Sequence, residues 1–337
     1  MPSLTDVPGV FVGHATDLEA ASGCTVVLFD HPALGGIDVG GGFASTRQTD
    51  SLRSGGRATE THAFLLTGGS AFGMEAATGC MRWLEARGVG FQTPAARVPS
   101  VPTAVLYDLG IGSASRRPDA AMGHAACEAA SKEPVKEGNV GAGTGCTVGK
   151  RLGYENAWKG GLGSFSTPVD GYQIGAIAAV NALGDIFDPM TGEPVAVARG
   201  PVGEWRRRAT EAPGQGAPGK RAVAQDVPGA EDIEGGNTTL VVVCTDAPLD
   251  RNQLGLLARM SHDGLARSIR PAHTPFDGDV VFTASTAPAA ELRVDDLVLA
   301  RLGRAAIEVV AEAIVRGVRA ARPLHGVPAV AGEGSRP

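Results

Sequence analysis

Short apolar runs bounded by glycine recur along the whole chain, and they constrain its fold more than any other feature. Six of them have the length of a β-strand, and they cover residues 24–29, 63–66, 104–107, 174–180, 239–244 and 280–282. Several lack a strict alternation of polar and apolar residues, as strands do when both faces of their sheet are covered. The 48 glycines follow no repeat, which excludes collagen-like and low-complexity chains.

Helical patterns lie between these runs. A helix that begins near Ser70 is expected to end at Gly88, because glycine suits the position after a helix C-terminus, and Ser70 is a candidate N-cap. Asp250 and Gln253 form a capping box at the start of another helix. The predicted helices cover residues 70–87, 119–132, a segment that begins at 250, and 293–318. Strands and helices mixed in this way predict a layered α/β fold.

Composition and charge exclude several classes of protein. The 337 residues, 43% of them hydrophobic, suffice for one large domain or two ordinary ones. A formal net charge of -6 without a basic stripe argues against nucleic-acid and membrane-surface partners. No apolar stretch approaches the ~18 residues of a membrane span and no signal peptide is recognised, so we expect a cytoplasmic protein. The five cysteines form no CxxC pair, which argues against disulfide frameworks and zinc ribbons.

Three familiar catalytic motifs fail in detail. The glycine-rich loop 138–150 ends in lysine, but Thr144 and Arg151 stand where a phosphate-binding loop needs glycine and a hydroxyl residue. The stretch "TGGSAFG" at 67–73 lacks the spacing of a serine-hydrolase elbow. The seven histidines include no HxxxH or HExxH pair, so we expect no catalytic zinc.

A polar connector rich in proline and glycine, residues 202–236, leads directly to Asn237, Thr238 and the apolar run 239–244. Connectors of this length inside a domain are usually functional or disordered. If the bond between Asn237 and Thr238 were broken, Thr238 would gain an α-amine with a reference pKa of ~7.7–8.0. That amine could serve as the general base for the threonine hydroxyl. The residues alone leave two interpretations open: a self-released nucleophile, or an ordinary strand start after a turn.

Asp277 and Asp279 lie two positions apart in the stretch "FDGDVVF". On a strand, alternate residues project from the same face, so the two carboxylates would lie close together there. A polar turn that precedes a strand is the alternative. The residues alone do not decide between an acidic pair on a strand and such a turn.

Several longer stretches together resemble one known family. They are "TDVPGVFVGH" at the start, "LLTGGSAFGMEAATG" (65–79), "PTAVLYDLG" (102–110), "GNVGAGTGCTVGK" (138–150), "AVNALGDIFDP" (179–189), "GGNTT" (235–239) followed by "VVVCTDAPL", and "PFDGDVVFTAS" (275–285). With these stretches the chain resembles the self-cleaving aminopeptidase family that includes L-aminopeptidase/D-esterase, β-peptidyl aminopeptidases and nylon-oligomer hydrolases. The resemblance implies an αββα four-layer sandwich, which that family shares with ornithine acetyltransferases.

The resemblance also implies how the chain is organised and what it does. Residues 1–337 would form one catalytic domain, cleaved into a large chain 1–237 and a small chain 238–337, with 202–236 as a flexible connector. The processed heterodimers would assemble as a homotetramer. The enzyme would hydrolyse small peptide or amide substrates through an acyl-enzyme on Thr238, without metal or cofactor. An acyltransferase of ornithine-acetyltransferase type and a non-enzymatic binding or scaffold protein remain the alternatives.

Residue by residue, the resemblance implies a set of site residues. They are the nucleophile Thr238, released by cleavage after Asn237, the oxyanion-binding Asn181, the active-site Tyr107, Lys150 beside the nucleophile, and the acidic pair Asp277 and Asp279. The best-known aminopeptidases have serine after glycine at the cleavage site, and serine and glutamate where this chain has its two aspartates. The Asn–Thr junction and the acidic pair resemble the nylon-oligomer hydrolases more closely.

Overall fold

The computed structural model describes residues 1–53, 56, 60–200, 236–288 and 293–332. These residues form four α-helices and sixteen strands. The helices are α1 (Ala76–Ala86), α2 (Ala120–Glu128), α3 (Arg251–Ser268) and α4 (Asp296–Ala320). The strands are β1 (Val10–Asp17), β2 (Ser22–Val39), β3 (Thr46–Arg47), β4 (Thr61–Thr67), β5 (Phe91–Gln92), β6 (Arg97–Val98), β7 (Thr103–Val105), β8 (Thr147–Val148), β9 (Trp158–Lys159), β10 (Gly161–Val169), β11 (Tyr172–Asn181), β12 (Asp185–Phe187), β13 (Pro194–Ala196), β14 (Thr238–Thr245), β15 (Ile269–Arg270) and β16 (Val280–Ser285). Apart from Gly236, the predicted connector 202–236 lies outside the described residues.

Strand β2 is long enough to take part in two sheets. Its first part pairs antiparallel with β1 and β4, and its second part, from Leu34 onward, pairs antiparallel with β16. The pairing register with β4 shifts between Leu28 and Ala33, before the pairing with β16 begins. The first sheet therefore contains β1, β2, β4, β7 and β3, and the second contains β10, β11, β14, β16 and the end of β2.

Three separate hydrophobic cores define the layers. One lies between the helices α1 and α2 and the first sheet, one between the two sheets, and one between the second sheet and the helices α3 and α4. In β14 the side chains alternate between two of these cores: Leu240 and Val242 face the first sheet, whereas Val241 and Val243 face the helices. A strand buried on both faces needs the continuous apolar run that the sequence has at this point. The order helix, sheet, sheet, helix confirms the predicted αββα sandwich.

The predicted strands and helices are largely confirmed. Each of the six apolar runs overlaps a strand, namely β2, β4, β7, β11, β14 or β16. The capping box is present, because the Asp250 carboxylate accepts from the Gln253 amide at 2.9 Å and the Gln253 side chain accepts from the Asp250 amide at 3.1 Å. Strands β1 and β10 were not predicted, because glycine and polar residues interrupt their apolar pattern. All five cysteines are buried and unpaired.

The prediction that Ser70 caps a helix is wrong. Ser70 is the first residue of a 3₁₀ turn, Ser70–Glu75, and the α-helix begins only at Ala76. Gly69 occupies the cap position with φ of 81°, and Ser70 itself has φ of 54°. The Ser70 amide donates to the carbonyl of Leu106 at 2.9 Å. The turn is thus held by the segment that follows β7 and not by a side-chain cap.

The aromatic stack in the core between the two sheets yields a stability prediction. Phe282 is fully buried and stacks on Phe64 with a centroid distance of 4.7 Å. Phe282→Ala should lower the free energy of unfolding by about 3–5 kcal/mol, since it leaves a cavity in a closed core. Phe91→Ala is the matched control, because Phe91 is 52% exposed. Urea unfolding of both variants checks this, and equal losses in the two would contradict the proposed layer packing.

Candidate active site

Thr238 is the first residue of the central strand β14 and is buried. On one side β14 pairs antiparallel with β11, so that Thr238 lies opposite Asn181. On the other side β14 pairs parallel with β16, but this pairing begins only at Leu240, opposite Val280. The start of β14 therefore lacks a strand partner on the β16 side. There the Asp279 carboxylate and the Gly278 amide bind its backbone instead.

The peptide that joins Asn237 to Thr238 is held by a loop before β16. The Gly278 amide donates to the Asn237 carbonyl at 2.8 Å, and the Thr238 hydroxyl donates to the same oxygen. A Cβ atom at position 278 would lie 2.7 Å from the Thr238 hydroxyl oxygen, so only glycine allows this close approach. The threonine hydroxyl and the preceding carbonyl are thus fixed side by side.

Lys150 and Asn181 converge on the carbonyl of Gly236, one residue upstream of Asn237. The Lys150 ammonium nitrogen lies 3.0 Å from that oxygen, 3.0 Å from the Asn181 carbonyl and 3.2 Å from the Asn181 side-chain oxygen. The Asn181 side-chain nitrogen donates to the Gly236 carbonyl at 3.0 Å and to the Tyr107 carbonyl at 2.8 Å. The Thr147 amide fixes the orientation of Asn181 by donating to its side-chain oxygen at 2.9 Å.

Two buried lysines lie near this cluster. Burial lowers the pKa of Lys150 to about 7, although the charge of Asp277 acts in the opposite direction. Burial likewise lowers the pKa of Lys159 to about 8. The Lys159 nitrogen donates to the carbonyls of Cys146 at 2.6 Å and Gly160 at 3.1 Å. The pKa values of both amines therefore lie close to neutral pH.

The acidic pair precedes β16 and does not lie on it, because that strand begins at Val280. One Asp277 oxygen accepts from the Thr274 amide at 2.9 Å and from the Thr274 hydroxyl at 2.5 Å. Burial and the nearby Asp279 raise the pKa of Asp277. Of the two interpretations that the sequence left open, the polar turn before a strand is the one found, and the position of the pair next to the start of β14 follows from the Asn237–Asp277 bridge.

Both oxygens of Asp279 are engaged. One accepts from the Thr239 amide at 2.7 Å, and the other accepts from the amide of His273 at 3.1 Å and from its ring nitrogen Nδ1 at 2.8 Å. Asp279 thereby bridges the residue that follows Thr238 to a histidine. Neither His273 nor the role of Gly278 was predicted. Gly278 lies between the two predicted aspartates, but the sequence does not show that its amide meets the Asn237 carbonyl, and His273 lies outside the recognised motifs.

An uncharged cleft of about 390 Å³ opens next to Thr238. Its lining consists of residues 42–45, 70–71, 105–107 and 237–238, none of which carries a charged side chain. Tyr107 lines this cleft, and its backbone carbonyl accepts a hydrogen bond from the Asn181 side chain. The structure thus brings all of the predicted site residues to one place: Thr238, Asn237, Asn181, Lys150, Tyr107, Asp277 and Asp279.

The described segments contain no group of three or more His, Cys, Asp or Glu side chains arranged to hold a metal ion. None of the helices in these segments is long and apolar enough to cross a membrane.

The buried hydroxyl residue at the start of a central strand is a candidate nucleophile. Comparison with known sequences identifies the family: the family model "Peptidase family S58" matches residues 2–330, so the chain belongs to that family and is a peptidase or amide hydrolase. This membership confirms the family that the sequence motifs resemble.

Individual relatives and solved structures agree with the assignment. An uncharacterized aminopeptidase of Mycobacterium tuberculosis is 40% identical over 347 residues, which cover 97% of this chain and 96% of the relative. The 6-aminohexanoate-oligomer endohydrolase of an Agromyces species is 30% identical, covering 83% of this chain and 74% of that protein. The structure of the L-aminopeptidase D-Ala-esterase/amidase from Ochrobactrum anthropi superposes with a TM-score of 0.71 at 25% identity, covering 97% of this chain and 88% of that one.

The buried Lys159 yields a pH prediction. Its pKa is about 8 in the folded protein and returns to its ordinary value of 10.5 on unfolding, so between these values only the unfolded chain binds the proton. Raising the pH through this window should therefore stabilise wild type relative to Lys159→Met, by up to about 1.4 kcal/mol per pH unit. Urea unfolding between pH 7 and pH 10.5 measures the difference. The exposed Lys136→Met is the control, and parallel profiles for wild type and Lys159→Met would refute the burial argument.

Proposed function

We propose that the protein is a self-processing hydrolase whose nucleophile is Thr238, and that it cleaves peptide or other linear amide bonds through an acyl-enzyme. The processed form would consist of chains 1–237 and 238–337 within one folded domain. The observation that carries the proposal is the contact of the Thr238 hydroxyl with the Asn237 carbonyl, which the Gly278 amide also binds.

The self-cleavage step follows from this contact. The Thr238 hydroxyl oxygen adds to the carbonyl carbon of Asn237, and the Gly278 amide is placed to stabilise the resulting oxyanion. The carbon–nitrogen bond then breaks, and the hydroxyl proton ends on the released α-amine of Thr238. Water hydrolyses the remaining ester, which frees the hydroxyl and leaves a carboxylate on Asn237. No cofactor enters the step.

The turnover of substrates would use the groups that cleavage sets free. The α-amine of Thr238 lies next to its own hydroxyl and acts as general base. Lys150 and Asn181 lose the Gly236 carbonyl when the upstream segment leaves, so their hydrogens become available to a substrate carbonyl or its oxyanion. A charged Lys150 also favours the neutral form of the nearby amine.

We expect substrates without a free amine to be accepted as well as those with one. Both oxygens of Asp279 and one of Asp277 are already bound to groups of the protein, and the cleft beside Thr238 has an uncharged lining. A substrate ammonium would therefore find no unengaged pair of carboxylates. This favours hydrolysis of amide-oligomer type, the activity named for the Agromyces relative, over obligatory recognition of an N-terminal amine. A tetramer of processed heterodimers and a cytoplasmic location stay predictions.

A third prediction concerns maturation. Purified wild-type protein should contain two polypeptides, and the smaller should begin with Thr-Thr-Leu-Val, because cleavage precedes Thr238. Thr238→Ala should remain one chain, since it lacks the attacking oxygen, whereas Thr238→Ser should still be cut. Intact mass and N-terminal sequencing decide this. Cleavage of Thr238→Ala at the same bond would point to an external protease and would remove Thr238 from the nucleophile role.

A fourth prediction concerns substrate choice. A free and an N-acetylated amino-acid anilide should be hydrolysed with kcat/KM values that differ by less than about tenfold, or about 1.4 kcal/mol. Asp277→Asn and Asp279→Asn should lower kcat for both anilides alike, because the carboxylates support the protein and not the substrate amine. Strict preference for the free amine, lost in either aspartate variant, would show that the pair binds the ammonium and that the enzyme is an aminopeptidase in the narrow sense.

A further inference from the structure

His273 makes two hydrogen bonds to a single oxygen of Asp279, one from its backbone amide and one from Nδ1 of its ring. The other oxygen of that carboxylate receives the Thr239 amide. The Asp279 side chain is 3% exposed. Three hydrogen bonds to the Asp279 carboxylate, which is shielded from water, thus connect His273 to the residue directly after Thr238.

The surroundings of the His273 ring favour its protonated form. Nδ1 faces the Asp279 carboxylate at 2.8 Å, and Nε2 faces the carbonyl of His262 at 3.5 Å, so both ring nitrogens point to acceptors. Burial alone would lower the pKa of His273, but the hydrogen bond and charge of Asp279, with the carboxylate of Asp277, raise it.

A second histidine lies behind the first. His262 of α3 meets the His273 ring edge-on at 4.6 Å between centroids. Burial and the charge of His273 lower the pKa of His262, against the effect of Asp38 on β2, whose carboxylate lies 3.5 Å from Nε2. Of the two rings, His273 is therefore the one that keeps its proton to the higher pH, and it is the one next to Asp279.

The position of the ring is tightly constrained. A Cβ atom at Gly40 would lie 2.7 Å from Nδ1 of His273 and 2.8 Å from the His262 ring, so the glycine backbone packs directly on both histidines. His273 also has φ of 58°, a conformation that non-glycine residues rarely adopt. This backbone conformation directs both the amide and the ring Nδ1 of His273 toward Asp279.

We infer that His273 is a positioning residue for Thr238: its imidazolium pairs with Asp279, which holds the Thr239 amide and so fixes the start of β14 where strand β16 does not reach. The inference rests on the proposed function. Once the upstream bond is broken, Thr238 becomes a chain end, and on the β16 side the Asp279 carboxylate holds the amide of the next residue, one position before the pairing with β16 begins. The imidazolium also offsets the repulsion between Asp277 and Asp279.

The inference predicts a pH dependence with a definite sign. Because the pKa of His273 is raised, the imidazolium is present below that pKa and is lost as the pH rises through it. Its loss removes the cation that pairs with Asp279, so kcat should fall on the alkaline side. Lys150 titrates as well, so the decline is assigned to His273 only where it is present in wild type and absent from a His273 variant.

The test compares wild type with His273→Ala, His273→Asn and the exposed control His31→Ala, using an N-acetylated amino-acid p-nitroanilide. The intact mass of each purified protein is measured first, so that only cleaved enzyme is compared. His273→Ala should lose kcat by about 10- to 100-fold, as misplaced catalytic groups do, with KM changed by less than about threefold. His273→Asn keeps a side-chain N–H donor near Nδ1 but carries no charge at any pH, so its kcat should match that of wild type at alkaline pH, exceed that of His273→Ala, and show no alkaline decline. His31→Ala should match wild type.

The outcomes separate this inference from the function on which it rests. Wild type that is not cut before Thr238 refutes the proposed function itself. Cleaved His273→Ala with wild-type kcat, or His273→Asn with an unchanged alkaline decline, overturns only the positioning role. If His273→Ala does not fold, kcat is compared among His273→Asn, Asp279→Asn and the double variant. If the two single losses of kcat, as free energies, add up to that of the double variant, the connection through Asp279 is overturned. If they do not add up, the connection is supported.

Discussion

The hydrogen bond from the Gly278 amide to the Asn237 carbonyl ties together the two parts of the chain on which the site depends. It joins the loop before β16 to the residue before β14, at the point where the two parallel strands have not yet begun to pair. A side chain at position 278 would collide with the Thr238 hydroxyl, so this contact requires glycine. The acidic pair, the histidines behind it and the cleft beside Thr238 are all arranged around this one backbone contact.

The layered fold was predictable because the apolar runs report burial directly. A strand such as β14, whose alternate side chains fill two different cores, must be apolar along most of its length, and two glycines precede its start. The same logic failed for β1 and β10, whose polar and glycine residues hide the pattern. It also failed at Ser70, because a left-handed backbone at a serine leaves no trace in composition.

The site was predictable only to the level of residue types. The motifs identified Thr238, Asn181 and Lys150, and the fold brings them together. Which atom each of them binds could not be predicted, since the acceptor shared by Lys150 and Asn181 is the backbone carbonyl of Gly236. His273 escaped for a similar reason: its importance lies in the orientation of two N–H groups toward Asp279, which only the loop geometry determines.

In the intact chain, the hydrogens of the buried Lys150 and Asn181 side chains are bound by acceptors of the protein itself. Burying an amine such as Lys150 is costly unless its hydrogens meet acceptors, and three carbonyl-type oxygens surround its nitrogen, one of them that of Gly236. In the proposed self-cleavage the departing segment would remove this third acceptor. The vacated position then favours a carbonyl from outside the chain, because a substrate amide would restore the hydrogen bonds of both Lys150 and Asn181. On this reasoning the upstream residues of the intact chain hold the place of the acyl substrate, and the free energy lost when they depart becomes binding energy for the next amide.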